Sequence, residues 1–121
     1  MTAQLDFASL AVESLEVGAA AKELLATEQA ARDGRAARTL AKSDALTVVL
    51  TVVKGGRSVS EHAAPGPVVI VPVVGTAEFH IPDGQPHEVS SGRILLVGKG
   101  RRHEVTARED CAFLILIGAQ A

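Results

Sequence analysis

Two histidines carry most of the chemistry this chain could perform. His62 lies six positions after Gly56 and His103 eleven after Gly92, each in a short β-prone run bracketed by glycines. A neutral imidazole near pH 7 serves as a general base, a hydrogen-bond anchor or a transition-metal ligand. His80 and His87 lie between them, and Glu61, Glu78, Glu88 and Glu104 are the carboxylates of the same stretch. Alternation limits these partners: if His62 and His103 face inward, their neighbours Glu61 and Glu104 face out. On the run Ala77, Phe79, Ile81 the apolar set belongs to the core, which sends Glu78 and His80 to solvent. His87, next to Pro86, is left open by this reasoning.

Composition removes other chemistries. The 121 residues contain no Trp or Tyr and only three Phe, so neither base- or sugar-stacking platforms nor a phenolic acid catalyst can be built. The single Cys111 sits in the run Cys-Ala-Phe-Leu-Ile-Leu-Ile and reads as a buried apolar thiol, not a nucleophile. A formal charge of -2, from 12 basic and 14 acidic side chains, gives no field for nucleic acid or an anionic membrane. No signal peptide and no spanning segment is visible, and a cytoplasmic location is the default.

The elements that must position the histidines follow from punctuation and periodicity. The length fits one globular unit. Ala, Leu, Glu and Lys dominate from Asp6 to Arg32, which predicts helix capped by Asp6 and broken near Gly18. Asp33-Gly34 ends it. Short β-prone runs then follow at 35–41, 46–53, 58–62, 68–74, 76–81, 88–90, 94–97, 103–107 and 112–117, separated by Gly/Pro turns, as in an all-β sandwich or barrel. Pro72 interrupts the most apolar run and predicts a strand edge or a bulge. There is no internal repeat.

The spacing of these residues resembles the small single-domain cupins. Gly56, His62, Ala64, Val68 and Gly75 keep the register of that family's first motif, G-x5-H-x-H-x3-4-E-x6-G, and Gly92, Gly98, Gly100, His103 and Ala107 keep that of its second, G-x5-P-x-G-x2-H-x3-N, with 16 residues between. The resemblance covers 35–118. It implies a mainly β fold, a jelly-roll barrel (double-stranded β-helix) over 35–121, with an N-terminal helical extension over 1–34.

The departures bear on function. In metal-binding cupins two histidines and a glutamate of the first motif and the histidine of the second hold one divalent metal. Here Ala64 and Val68 stand at two of those four positions, leaving His62 and His103, with His87 as a weak third candidate. Two imidazoles hold a metal less firmly than three or four ligands. No cofactor is therefore expected, divalent metal being the weakly supported alternative, and no catalytic residue is assigned. The preferred reading is a non-catalytic barrel, a sensor or accessory protein binding an apolar or weakly acidic small molecule in a pocket at His62, Ala64, Val68 and His103. Lys99, Arg101 and Arg102 would offer an anion site at the barrel mouth, or be only solvated surface. Alternatives are a metal-dependent dioxygenase or isomerase on His62 and His103, and a structural dimerisation module. A metal-free isomerase would want a partner acid, commonly a tyrosine, which the chain lacks. A homodimer is expected in each case, since an apolar strand such as Val48 to Val53 is a hazard when bare.

Overall fold

The computed structural model describes residues 3–82 and 84–119, with the side chains of all of these except Ser60, Glu61 and His62. In chain order the elements are β1 (Leu5–Asp6), α1 (Val17–Leu25), α2 (Glu28–Asp33), β2 (Arg35–Lys42), β3 (Leu46–Val53), β4 (Ser58–His62) and β5 (Val68–Val74). They continue with β6 (Ala77–His80), β7 (His87–Val89), β8 (Leu95–Val97), β9 (His103–Ala107) and β10 (Cys111–Gly118). Every expected strand is present to within a residue or two at its ends.

The strands form two sheets, ordered β1-β2-β3-β10-β5-β8 and β4-β9-β6-β7. Strands β3, β5, β8 and β10 thus form one four-stranded array and β4, β6, β7 and β9 a second facing it, the jelly-roll pattern, while β1 and β2 extend the first array beyond the other. The sheets are not closed on one another: no ladder joins β7 to β8 or β4 to β3. Between them lies one apolar layer, including Val53, Val59, Val68, Ile70, Phe79 and Phe113. A second lies on the outer face of the larger sheet, where Ala21, Leu24 and Ala30 of the helices meet Ala36, Leu40, Leu50, Val52 and Ala112. No described helix is long and apolar enough to cross a membrane.

The predicted long helix is corrected. Residues 5 and 6 are strand, pairing in parallel with Ala41 and Lys42. Asp6 caps no helix; its Oδ1 accepts from the Ala8 amide at 2.9 Å, a local turn that competes with helix. Helix begins only at Val17, and the break falls at Ala26-Thr27 because Thr27 Oγ1 caps α2, accepting from the Ala30 amide at 3.2 Å. Gly18 lies inside α1. Asp33-Gly34 does stop the chain, with Gly34 left-handed at φ 77° and its amide bonded to Ala30 O at 2.8 Å.

Pro72 behaves as its chemistry requires. The β10–β5 register shifts between Ala112 and Phe113, next to Pro72, and β8 pairs only with Val68, Val69 and Ile70, so neither ladder asks Pro72 for an N–H. The expected hazard at Val48 to Val53 is also corrected. Strand β3 is internal, paired along its length with β2 and β10.

Two turns are clasped at the end opposite the histidines. Asp110, between β9 and β10, accepts from the Gly55 amide at 2.8 Å and from Lys54 Nζ at 3.0 Å. Its carbonyl closes on Gly75, where any Cβ would collide and φ is 71°. The Gly55 amide, then Lys54, hold the Asp110 carboxyl below its usual range. A depressed carboxylate contributes stability above its unfolded pKa and loses it as pH falls through the folded one. Asp110→Asn is therefore expected to lower neutral-pH stability by about 1 kcal/mol or less, the pair being exposed, and to flatten the acid limb of a melting-temperature profile. Parallel acid limbs in the two proteins would contradict this assignment.

Candidate functional site

One end of the barrel gathers the candidate residues. Strand β4 ends there at His62, β9 begins at His103 and β5 begins at Val68, with the loops 63–67, 81–86 and 98–102 around them. The β4–β9 ladder pairs Val59 with Val105 and then His62 with His103, shifting by one residue in between. That irregularity sets His62, and not Glu61, opposite His103 in the backbone register. The His62 and Glu61 side chains lie outside the described residues.

His103 is the one buried polar residue among those described, 4 % exposed, and alternates with buried Val105 and Ala107 along β9. Its Nδ1 lies 3.3 Å from Arg101 O. A carbonyl only accepts, so Nδ1 donates; in a neutral ring Nε2 would then be the acceptor. The Phe79 ring stacks on the imidazole, centroids 5.6 Å apart and planes at 29°, and meets Phe113 edge-on at 5.7 Å. Alternation had turned Phe79 inward; what sequence did not reveal is that β6 lies beside β9 and so sets this ring against His103.

Ala64 and Val68 bring only methyl groups to this end of the barrel. Ala64 is half-buried against the core, and Val68, 3 % exposed, is paired with Val97 and Ile117. Leu95, Ile115 and Ile117 are likewise partly buried against the core. His87 does not join them. It stands opposite Phe79 in the register but is exposed on edge strand β7, where a hollow of about 290 Å³ is lined by His87, Glu88, Arg93 and Leu95 among others. Among the described residues no three of His, Cys, Asp and Glu come together as a metal would require.

Of the carboxylates expected to face out, Glu78 and Glu104 do so. Glu104 is exposed, and Glu78 lies on the outer sheet face, paired with Arg108 and 3.7 Å from His80 Nε2. Arg108 also reaches Glu88 at 3.3 Å, bridging two acids that stand directly opposite in the β6–β7 ladder. Its guanidinium holds the Glu78 carboxyl below the usual range. Cys111 is buried, and loss of solvent pushes its thiol up to about 11, which leaves it protonated and inert at neutral pH.

The basic loop lies at the same end as His103. Gly100 donates to Ala64 O at 3.1 Å, tying loop 98–102 to loop 63–67. Pro82, Gly100, Arg101 and Arg102 line a shallow hollow of about 240 Å³, and Lys99 is exposed outside that lining. The overhang of the larger sheet makes another hollow, of about 540 Å³, in which Ala37, Thr51, Val59 and Ile115 meet Arg35 and Asp33. Sequence gave no signal for it, because it arises from one sheet having two strands more than the other.

No protein-family model matches the chain, and no curated protein matches it in sequence. Solved structures do. An RmlC-like cupin protein from Desulfovibrio desulfuricans is 20% identical, with a TM-score of 0.71 over 89% of this chain and 97% of that one. A conserved protein of unknown function from Streptococcus pyogenes is also 20% identical, with a TM-score of 0.71 over 93% of this chain and 91% of its own. The DMSP lyase DddQ from Ruegeria pomeroyi is 21% identical, with a TM-score of 0.67 over 73% of this chain and 48% of the lyase. Identities this low bear on architecture alone. Together with the strand order and the two glycine–histidine registers, these likenesses give the chain the fold of a small cupin domain.

Proposed function

We propose that this barrel is a non-catalytic binding module, a sensor or accessory protein, that takes a small, apolar, weakly acidic molecule at its histidine end without a resident metal. The observation that carries the reading is the surrounding of His103. Its imidazole is covered by Phe79 and donates through Nδ1 to Arg101 O, while aliphatic Ala64 and Val68 hold two positions that ligands occupy in the resembled motif. Ala64 and Ile117 pack against the same apolar core, and a mostly apolar surface with few convergent polar groups is the usual composition of small-molecule sites. Lys99, Arg101 and Arg102 supply positive charge at the rim for a carboxylate.

The described donor set is our reason for leaving out a divalent metal: among the described residues no carboxylate joins His103, and two imidazoles alone would leave most of the coordination sphere to water and the metal's charge uncompensated. The metalloenzyme reading keeps one support, that the same fold serves the DMSP lyase above, and the same experiment decides between the two. Protein without a histidine tag is incubated with Fe, Mn, Zn, Ni or Cu, dialysed and analysed for metal, then titrated with 4-methylpentanoate. The expected result is metal well below one equivalent, and carboxylate binding that weakens about tenfold in Arg101→Gln/Arg102→Gln, the loss of ~1.4 kcal/mol. Near-stoichiometric metal that disappears in His103→Ala would overturn the proposal and revive the enzyme.

A homodimer is proposed as the working unit. Its support is the overhang of β2 beyond the smaller sheet, which leaves Ala37 exposed and Thr39, Val49 and Thr51 half-exposed on the inner face of the larger sheet. A sheet face of this kind is normally covered. Light scattering at micromolar concentration is expected to give twice the chain mass, and Thr51→Glu to return the monomer; a monomeric parent protein would count against it.

A further inference from the structure

A charged side chain stands in the second apolar layer, far in sequence from the histidine motifs. Strand β2 presents Ala36, Arg38 and Leu40 to the helices, and Ala36 and Leu40 are buried there. Arg38 lies between them, opposite fully buried Leu50 in the β2–β3 ladder, and is itself half-buried. A guanidinium stays ionised and brings five N–H donors that need acceptors. Among the described residues Arg38 makes no hydrogen bond and no ion pair. Stripping water from such a group without replacing it is costly.

Arg38 borders a cavity of about 310 Å³ between β2, the start of α1 and the segment leading into it. Leu15, Val17 and Leu40 give this cavity an aliphatic lining, and Glu16, Glu23 and Ser14 complete it on the helix side. Glu23 lies on α1 and Glu16 at the cap position just before its first residue, and both border the cavity with Ala20. Both are exposed and neither pairs with Arg38. One cationic group and two anionic groups are thus held apart around an apolar space.

The complement of this arrangement is a zwitterion. A simple carboxylate would satisfy Arg38 but face two glutamates, and a simple amine would satisfy the glutamates but face Arg38. We propose that this cavity binds a free α-amino acid with an aliphatic side chain. Its carboxylate bonds to the Arg38 guanidinium, its ammonium is drawn to Glu16 and Glu23, and its side chain lies on Leu15, Val17 and Leu40. The volume is at the small end for ligand sites and suits a molecule of that size. This site is separate from the histidine end and does not depend on it.

Calorimetric titration of the full chain with L-leucine, 4-methylpentanoate and 3-methylbutylamine tests the proposal. L-Leucine is expected to bind, the acid and the amine to displace it at least about tenfold more weakly, and Arg38→Gln and Glu16→Gln/Glu23→Gln each to lose about tenfold or more. Arg101→Gln/Arg102→Gln should leave leucine binding unchanged. Should Arg38→Gln fail to fold, Arg38→Lys serves, keeping the charge but losing the bidentate geometry and so weakening leucine several-fold. Absence of leucine binding, equal displacement of bound leucine by 4-methylpentanoate, or leucine binding indifferent to Arg38 would each overturn the assignment.

Discussion

Strand β10 is apolar on both faces, and the rest of the molecule is arranged to cover it. Cys111, Phe113, Ile115 and Ile117 face the space between the sheets, while Ala112 and Leu114 face the helices. Its edges are committed as well, to β3 on one side and β5 on the other. A strand of this kind is stable only at the centre of a layered structure. The smaller sheet covers one face and the two short helices the other. The N-terminal segment is therefore part of the packing: with so few aromatic residues, a second layer of aliphatic contacts supplements a core filled mainly by Val, Leu, Ile and Ala.

The same economy shapes the histidine end. Phe79 and Phe113 are two of the three aromatic residues in the chain, and both are in the stack that ends on His103. A ring used to bury an imidazole restricts its approach to a ligand. The backbone carbonyl of Arg101 fixes the imidazole from the other direction, and the loop that carries this carbonyl is itself tied to Ala64. His103, the basic loop and the Ala64 loop are thus mechanically one unit. A ligand carboxylate meeting Arg101 or Arg102 would be felt by the imidazole, a coupling suited to sensing.

Much of this was legible in the sequence, for identifiable reasons. Strand positions followed from alternation and Gly/Pro punctuation, which are local properties. The outward turn of Glu78 came from two-residue periodicity, that of Glu104 from the same rule once His103 is set inward, and the irregularity at Pro72 from the missing N–H of proline. The N-terminal helix was overread because helix propensity is a weak prior, and the Asp6 side chain prefers a turn next to a strand that finds its partner 36 residues away. The ring over His103 and the isolated Arg38 guanidinium were not legible. Both depend on which strands and helices become neighbours, and no spacing along the chain records that.

The central proposal is that His103 is a packed, hydrogen-bonded imidazole and not a metal ligand. Long-range proton–nitrogen NMR of the histidine rings, recorded before and after addition of Zn, tests it most directly. The account predicts a His103 ring protonated at Nδ1 whose two nitrogen shifts are unchanged by the metal. A large shift of the Nε2 resonance at one equivalent of Zn, lost in His62→Ala, would contradict it.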